Sequence, residues 1–174
     1  RAELRKHEIS VAMLNVDAIE IQSDDLREIA KRSALDAATS TGIPVFVEDA
    51  GLFIDALKGF PGPYSSFVYR TLGTQGILKL MTTIERRTAH FHSVIAFCRP
   101  SKNARPVCFE GKVNGRIVYN EKGKLGFGFD PIFIPGEGDG RTFGEMTIAE
   151  KGDISHRARA GKKFLKWYAL MKKA

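Results

Sequence analysis

The chain reads as an α/β protein, and three observations predict this. Apolar residues recur at helical spacing over 24–41, and a short two-sided apolar run follows at once. Two long strand-like stretches come next, at 88–98 and 106–119. An amphipathic helix then closes the chain after Ser155. A helix followed directly by a buried strand is what layered α/β packing requires.

Taken in order, residues 1–8 read as the tail of a helix and residues 9–14 as a strand. Over 24–41, Leu26, Ile29, Ala30, Ala34, Ala37 and Ala38 share one face. Asp25 and Glu28 have capping-box spacing, with Asp in place of the usual Ser or Thr. Gly42 can stop this helix, and Pro44 prevents its return. Residues 43–47 are apolar on both sides and predict a central strand. Gly59-Phe60-Pro61-Gly62-Pro63-Tyr64-Ser65-Ser66 predicts a rigid loop, because proline fixes φ and glycine permits unusual φ. Thr74 is placed to cap a helix carrying Ile77, Leu78, Met81 and Ile84. The stretches 88–98 and 106–119 pair as a hairpin turning near 101–104, and a glycine-rich segment with aromatic punctuation fills 122–144. The last helix carries Phe164, Leu165, Tyr168 and Met171 on one face. There is no internal repeat.

At 174 residues the chain is read as one domain, 1–174, large enough to bury a core without staples. Its 43% hydrophobic and 27% charged residues are ordinary for a globular protein. No apolar run approaches a membrane span and no signal-peptide pattern opens the chain, so a cytoplasmic protein without a membrane partner is expected. Cys98 and Cys108 fall across the predicted hairpin and are read as reduced thiols. The charge is uneven: residues 1–85 hold 9 basic and 12 acidic groups, and residues 86–174 hold 18 and 8. A solvated basic surface is the plain reading. An acidic half holding a cation and a basic half drawing in a polyanion is the functional one. A pI near 9.5 leaves nucleic acid open on charge alone.

Three segments carry chemistry. In the first, the apolar run 43–47 meets two adjacent carboxylates, Glu48 and Asp49. Neighbouring acids repel unless a cation or a basic group stands by, or one pKa rises. If the strand ends there and the chain turns at Gly51, both acids serve one site: one holds Mg²⁺ and the other orients or deprotonates a water. A solvated strand end is the alternative. Glu20, ahead of the first helix, matters only if the fold brings it to this pair.

The second segment is Gly126-Phe127-Gly128-Phe129-Asp130-Pro131. Glycines let a planar ligand approach the backbone, a ring offers a stacking face, and the acid can accept from a purine edge. Two core phenylalanines and an Asp-Pro turn fit the same string. The third is Ser155-His156-Arg157. Ser155 as an N-cap puts His156 and Arg157 in the first turn beside free N–H groups, where anions and carbonyl oxygens bind. Arg157 offers fixed donors for a keto oxygen or a phosphate, and Lys151 a point charge. A capped helix with ordinary surface cations is again the alternative.

In combination these segments resemble the inosine triphosphate pyrophosphatase family, the Ham1-like pyrophosphatases of non-standard purine nucleotides. The matches are Val47-Glu48-Asp49-Ala50-Gly51-Leu52, Gly59-Phe60-Pro61-Gly62-Pro63-Tyr64-Ser65, Gly126 to Phe133, Thr142-Phe143-Gly144-Glu145-Met146, Glu150-Lys151 and Ser155-His156-Arg157. Each is weak alone, but their order across nearly the whole chain is specific.

The resemblance implies an elongated mixed β-sheet with flanking helices and two lobes around a central cleft, and a homodimer. It implies Mg²⁺-dependent cleavage of ITP, dITP or XTP between the α and β phosphates, giving monophosphate and pyrophosphate. By the same resemblance Glu20, Glu48 and Asp49 hold the metal, and Asp49 activates the water. Ser65, Phe127, Phe129, Asp130, Lys151, Ser155, His156 and Arg157 surround the nucleotide. The family opens with a strand and a Ser/Thr-x-Asn-x-x-Lys phosphate loop. This chain begins at Arg1 without that motif, so an N-terminally incomplete domain is expected. Two lysines common in other branches appear here as Arg32 or Ser33 and as Ser66, so phosphate binding leans on Lys151 and the upstream loop. A Maf-like pyrophosphatase of other specificity is a competing reading, against which the Ser-His-Arg and Phe-Gly-Phe-Asp segments speak. A catalytically dead nucleic-acid-binding module, suggested by the net +7 and the basic tail 162–173, leaves the acid-bearing motifs unexplained.

Overall fold

A computed structural model describes residues 11–16, 19 and 21–173. The helical tail expected over 1–8 lies outside the described residues, as do Ile9 and Ser10. Residues 11–14 form no strand.

The first helix, α1 (Leu26–Thr41), stands where periodicity puts it, with Leu26, Ala30, Ala34, Ala37 and Ala38 buried. Asp25 caps it by accepting the Arg27 N–H at 2.8 Å. The reciprocal half of the expected capping box does not form: Glu28 accepts from Ser23 Oγ, and the Asp25 N–H donates to the same hydroxyl. Gly42, at φ 68°, ends the helix.

Strand β1 (Val45–Ile54) is twice as long as its apolar start suggests. It does not stop at the two acids, nor does the chain turn at Gly51. A Cβ on Gly51 would lie 2.1 Å from the Gly62 carbonyl oxygen, so this glycine permits close approach of β2 (Pro61–Gly62). Two short helices follow, α2 (Ser65–Thr71) and α3 (Gly73–Leu80). Thr74 lies inside α3 and donates to Glu121 instead of capping. Strands β3 (Thr88–Cys98) and β4 (Val107–Ile117) form the expected hairpin, and β5 (Phe133–Pro135) adds the last strand. Cys98 and Cys108 are free thiols. Helix α4 (Ile148–Ile154) leads into α5 (His156–Lys173).

The sheet order is β2-β1-β3-β4-β5. Every pairing among these strands is antiparallel. The α/β class stands, while the mixed pairing expected of the sheet does not occur among the described residues. Alternation splits the sheet's faces. Val45, Val94 and Ala96 pack under α1, whereas Ile95 and Phe97 pack under Ala160, Phe164 and Leu165 of α5. A third cluster, from Leu52, Phe91 and Val113 to Phe129, Phe133 and Phe143, fills the space beneath the 122–146 segment. No helix among the described residues is long and apolar enough to cross a membrane.

Candidate active site

The two acids of β1 lie in unbroken register with β3, Glu48 opposite Ile95 and Asp49 opposite Val94. They therefore face opposite sides of the sheet. Glu48 is on the α5 side. Its Oε1 accepts from Ser93 Oγ at 2.7 Å, and Arg157 Nε lies 3.1 Å from its Oε2. Asp49 is on the α1 side, with its Oδ1 accepting the Ala50 N–H at 2.9 Å. His92, opposite Gly51, and Glu110, opposite Val94, share that face. They meet at 3.2 Å, and Arg27 of α1 reaches Glu110 at 2.9 Å.

The Gly-Phe-Gly-Phe-Asp string is a loop folded around a carboxylate. Gly126 and Gly128 sit at φ 77° and 62°, and a Cβ on Gly126 would lie 2.1 Å from Asp130 Oδ2. The glycines thus serve the loop's own closure. Asp130, buried, accepts the Phe127 N–H at 2.8 Å and pairs with Lys151. The two rings part company. Phe127 is 60% exposed, with the Lys151 ammonium 4.3 Å and the Arg157 guanidinium 4.9 Å from its centroid. Phe129 is buried in the core against the edge of Tyr69.

Helix α5 supplies the other wall. Ser155 caps it, accepting the Ala158 N–H at 3.2 Å. Gly111 of β4 lets it approach, since a Cβ there would lie 2.0 Å from the His156 carbonyl oxygen. His156 is buried and stacked on Phe91 with centroids 4.6 Å apart. Neither ring nitrogen has a hydrogen-bond partner among the described residues. Burial first, and then the charges of Arg157, Lys151 and His92, push its pKa down to about 3. The ring is therefore neutral at ordinary pH. Burial likewise lowers the Lys151 pKa, against the opposing pull of Asp130.

The structure thus gathers Glu48, Phe127, Asp130, Lys151, Ser155, His156 and Arg157 into one constellation. Asp49 stands across the sheet, and Phe129 lies in the core. Ser65 has its hydroxyl committed between the Leu52 N–H and the Gly62 carbonyl. Glu20 lies outside the described residues. Sequence reasoning missed Ser93, Phe91 and the His92–Glu110–Arg27 chain. A serine interrupting the apolar strand at 93 was the available signal for the first.

Comparison with known proteins places the chain in a family. The model of the Ham1 family matches residues 1–167. A dITP/XTP pyrophosphatase of Methanopyrus kandleri is 50% identical over 165 residues, covering 95% of this chain and 86% of that one. Its counterpart in Thermococcus kodakarensis is 50% identical over 159 residues, covering 91% and 84%. Among solved structures, a Ham1 protein from Coxiella burnetii superposes with a TM-score of 0.82 at 32% identity, over 91% of this chain and 82% of that one. The Staphylococcus aureus Ham1 protein does so at 0.81 and 28%, over 92% and 83%. The chain belongs to the Ham1 family.

Proposed function

We propose that this Ham1-family chain is a nucleoside-triphosphate pyrophosphatase that hydrolyses ITP, dITP and XTP to the monophosphate and pyrophosphate. The observation that carries the reading is at Phe127: an exposed ring with the Lys151 and Arg157 cations close to it, beside the capped N-terminus of α5. An aromatic face takes a base of any kind. Guanidinium donors beside it favour a base with a keto oxygen at position 6, because adenine's amino group there leaves them unpaired. A site built on such a bond rejects the wrong base by up to roughly 10⁴-fold. The names of the archaeal relatives, at about half identity over most of both chains, support the same substrates.

In this reading Phe127 stacks on the base and Arg157 donates to its keto oxygen. Lys151, held by Asp130, adds positive charge toward the phosphates. Asp49 takes a proton from the attacking water. Ser65, Phe129, Ser155 and His156 shape the backbone and floor around these groups.

The donor set suits Mg²⁺, a hard cation that binds one or two carboxylates plus substrate phosphates and keeps several waters. Asp49 and Glu20 are the proposed protein ligands. Glu48, on the opposite face and engaged by Ser93 and Arg157, is left out of this pair. When bound, the metal neutralises charge on the leaving pyrophosphate. We further propose one domain, acting as a homodimer in the cytoplasm.

The test is the product pair. Full-length protein with Mg²⁺ is expected to give monophosphate and pyrophosphate from dITP and XTP and little from ATP or GTP. Diphosphate and phosphate as products would overturn the reaction assignment, and equal turnover of all four would overturn the specificity.

A further inference from the structure

Glu48 has chemistry of its own. On the α5 face its carboxylate accepts from Ser93, which is fully buried, at 2.7 Å. Arg157 Nε lies 3.0 Å from Oε1 and 3.1 Å from Oε2. Among the described residues, only the Nε of the guanidinium finds a hydrogen-bond partner. Its two terminal amino groups have no hydrogen-bond partner among the described residues, while the guanidinium carbon stands 4.9 Å from the Phe127 centroid. Asp49, the acid next door, faces the other side of the sheet.

We infer that Glu48 is a positioning residue for base recognition, fixing the Arg157 guanidinium so that its terminal donors stay available beside the exposed Phe127 ring. The inference rests on the proposed function and moves Glu48 from the metal to the base. The physical reason is preorganisation. A free arginine side chain has several rotatable bonds to freeze when it meets a ligand, and a group already held binds better. Ser93, immobilised in a central strand, sets the carboxylate rotamer. The carboxylate then sets the plane of the guanidinium through a charge-assisted bond. Because Nε alone is held among the described residues, the terminal amino groups keep their donors for an acceptor oxygen. A base with an amino group at that position gains nothing from a fixed donor. Positioning therefore acts on discrimination between bases, beyond any effect on affinity.

Metal-free binding separates this role from metal ligation. Full-length wild type, Glu48→Gln, Arg157→Gln, their double variant and Ser93→Ala are titrated with IMP and with AMP in excess chelator, after thermal melts establish folding. Wild type is expected to prefer IMP. Glu48→Gln is expected to lose about tenfold of that preference, as a charge-assisted bond becomes a neutral one. Arg157→Gln should lose at least as much, and the double variant no more than Arg157→Gln alone, since coupled residues are not additive. Ser93→Ala should shift the preference the same way by a smaller factor. A Glu48→Gln protein that keeps the wild-type ratio but needs more Mg²⁺ for turnover overturns the inference and leaves the pyrophosphatase reading standing. Additive losses overturn it equally. A wild type without preference between IMP and AMP removes the base-recognition reading, and this inference falls with it.

Discussion

Adjacent residues of an extended strand face opposite ways, and that geometry separates the roles proposed for Glu48 and Asp49. Asp49 carries the proposed base role alone. Asp49→Asn keeps the shape of the side chain and removes its basicity. Turnover of dITP should fall by at least about 10²-fold, the lower range of general-base contributions. Calorimetric binding of the nucleotide should persist, and a variant still releasing pyrophosphate at the wild-type rate would exclude Asp49 as the base. Phe127 makes a second prediction. It is 60% exposed, so Phe127→Ala should change stability by no more than about 0.5 kcal/mol. It should weaken dITP binding by about 1–3 kcal/mol, the worth of a base–aromatic stack. An unchanged KM with an unchanged melting temperature would mean that the ring does not touch the base. The motif itself was legible in the sequence, but the division between its two rings was not. Alternation assigns rings to faces only in a strand, and Gly126 and Gly128 at positive φ make this segment a loop.

Elements position these residues through close backbone contact, and the glycines of the sheet record where it happens. Gly111 lies buried in β4 beneath the first turn of α5. Gly111→Ala would put a methyl group 2.0 Å from the His156 carbonyl oxygen and 2.5 Å from the Ala160 nitrogen. Backbone cannot yield there without lifting the helix start that carries Arg157. The expected cost is about 1–3 kcal/mol, as for other overpacked cores. That corresponds to a melting temperature lower by roughly 2–10 °C, together with a loss of base preference. Gly161→Ala on the same helix meets nothing within 4 Å and should be neutral or slightly stabilising. Equal effects from the two would show that the contact at Gly111 does not govern the helix.

The long helices and the β3–β4 hairpin were readable because several turns or several alternations repeat one signal. α2 and α4, seven residues each, offer too few turns for periodicity to speak. The Thr147–Glu150 capping box, with its reciprocal bonds at 3.3 Å and 2.7 Å, was the available signal for α4, and the sequence reading missed it. The run from Val45 read as a strand ending at the acids because its downstream half owes its place to pairing with β3 and to Gly51 passing Gly62. That is tertiary information. Strand direction was hidden for a similar reason: a long connection through α2 and α3 joins β1 to β3, and such a length permits either sense.

At the scale of the whole molecule, the face of the sheet covered by α5 buries a histidine that cannot easily be charged, which ties stability to pH. His156 sits among Phe91, Lys151 and Arg157, and its pKa falls to about 3. Above the ordinary histidine value of about 6.5, folded and unfolded chains both hold the ring neutral, and its contribution to stability is complete. Below that value the unfolded chain binds a proton that the folded one refuses until the pH nears 3. Stability must therefore fall as the pH drops through this window, by up to about 1.4 kcal/mol per unit, or about 2 kcal/mol at pH 5. His90, held down to about 4 mainly by partial burial and then by Lys112, adds to the slope in the same direction. Glu150, its carboxyl lowered to about 2 by hydrogen bonds from Arg141 and Thr147, adds to the slope in the same direction below its ordinary value, because there the unfolded chain binds a proton that the folded one does not. The measurement is the melting temperature of wild type and His156→Leu between pH 7.5 and pH 4.5. The comparison is of slopes, so the lost stacking on Phe91 shifts the leucine curve without tilting it. Wild type should lose stability on acidification faster than the variant, with the curves converging as the pH falls. Parallel curves would place the acid sensitivity elsewhere, in the general repulsion of a chain that already carries net charge +7.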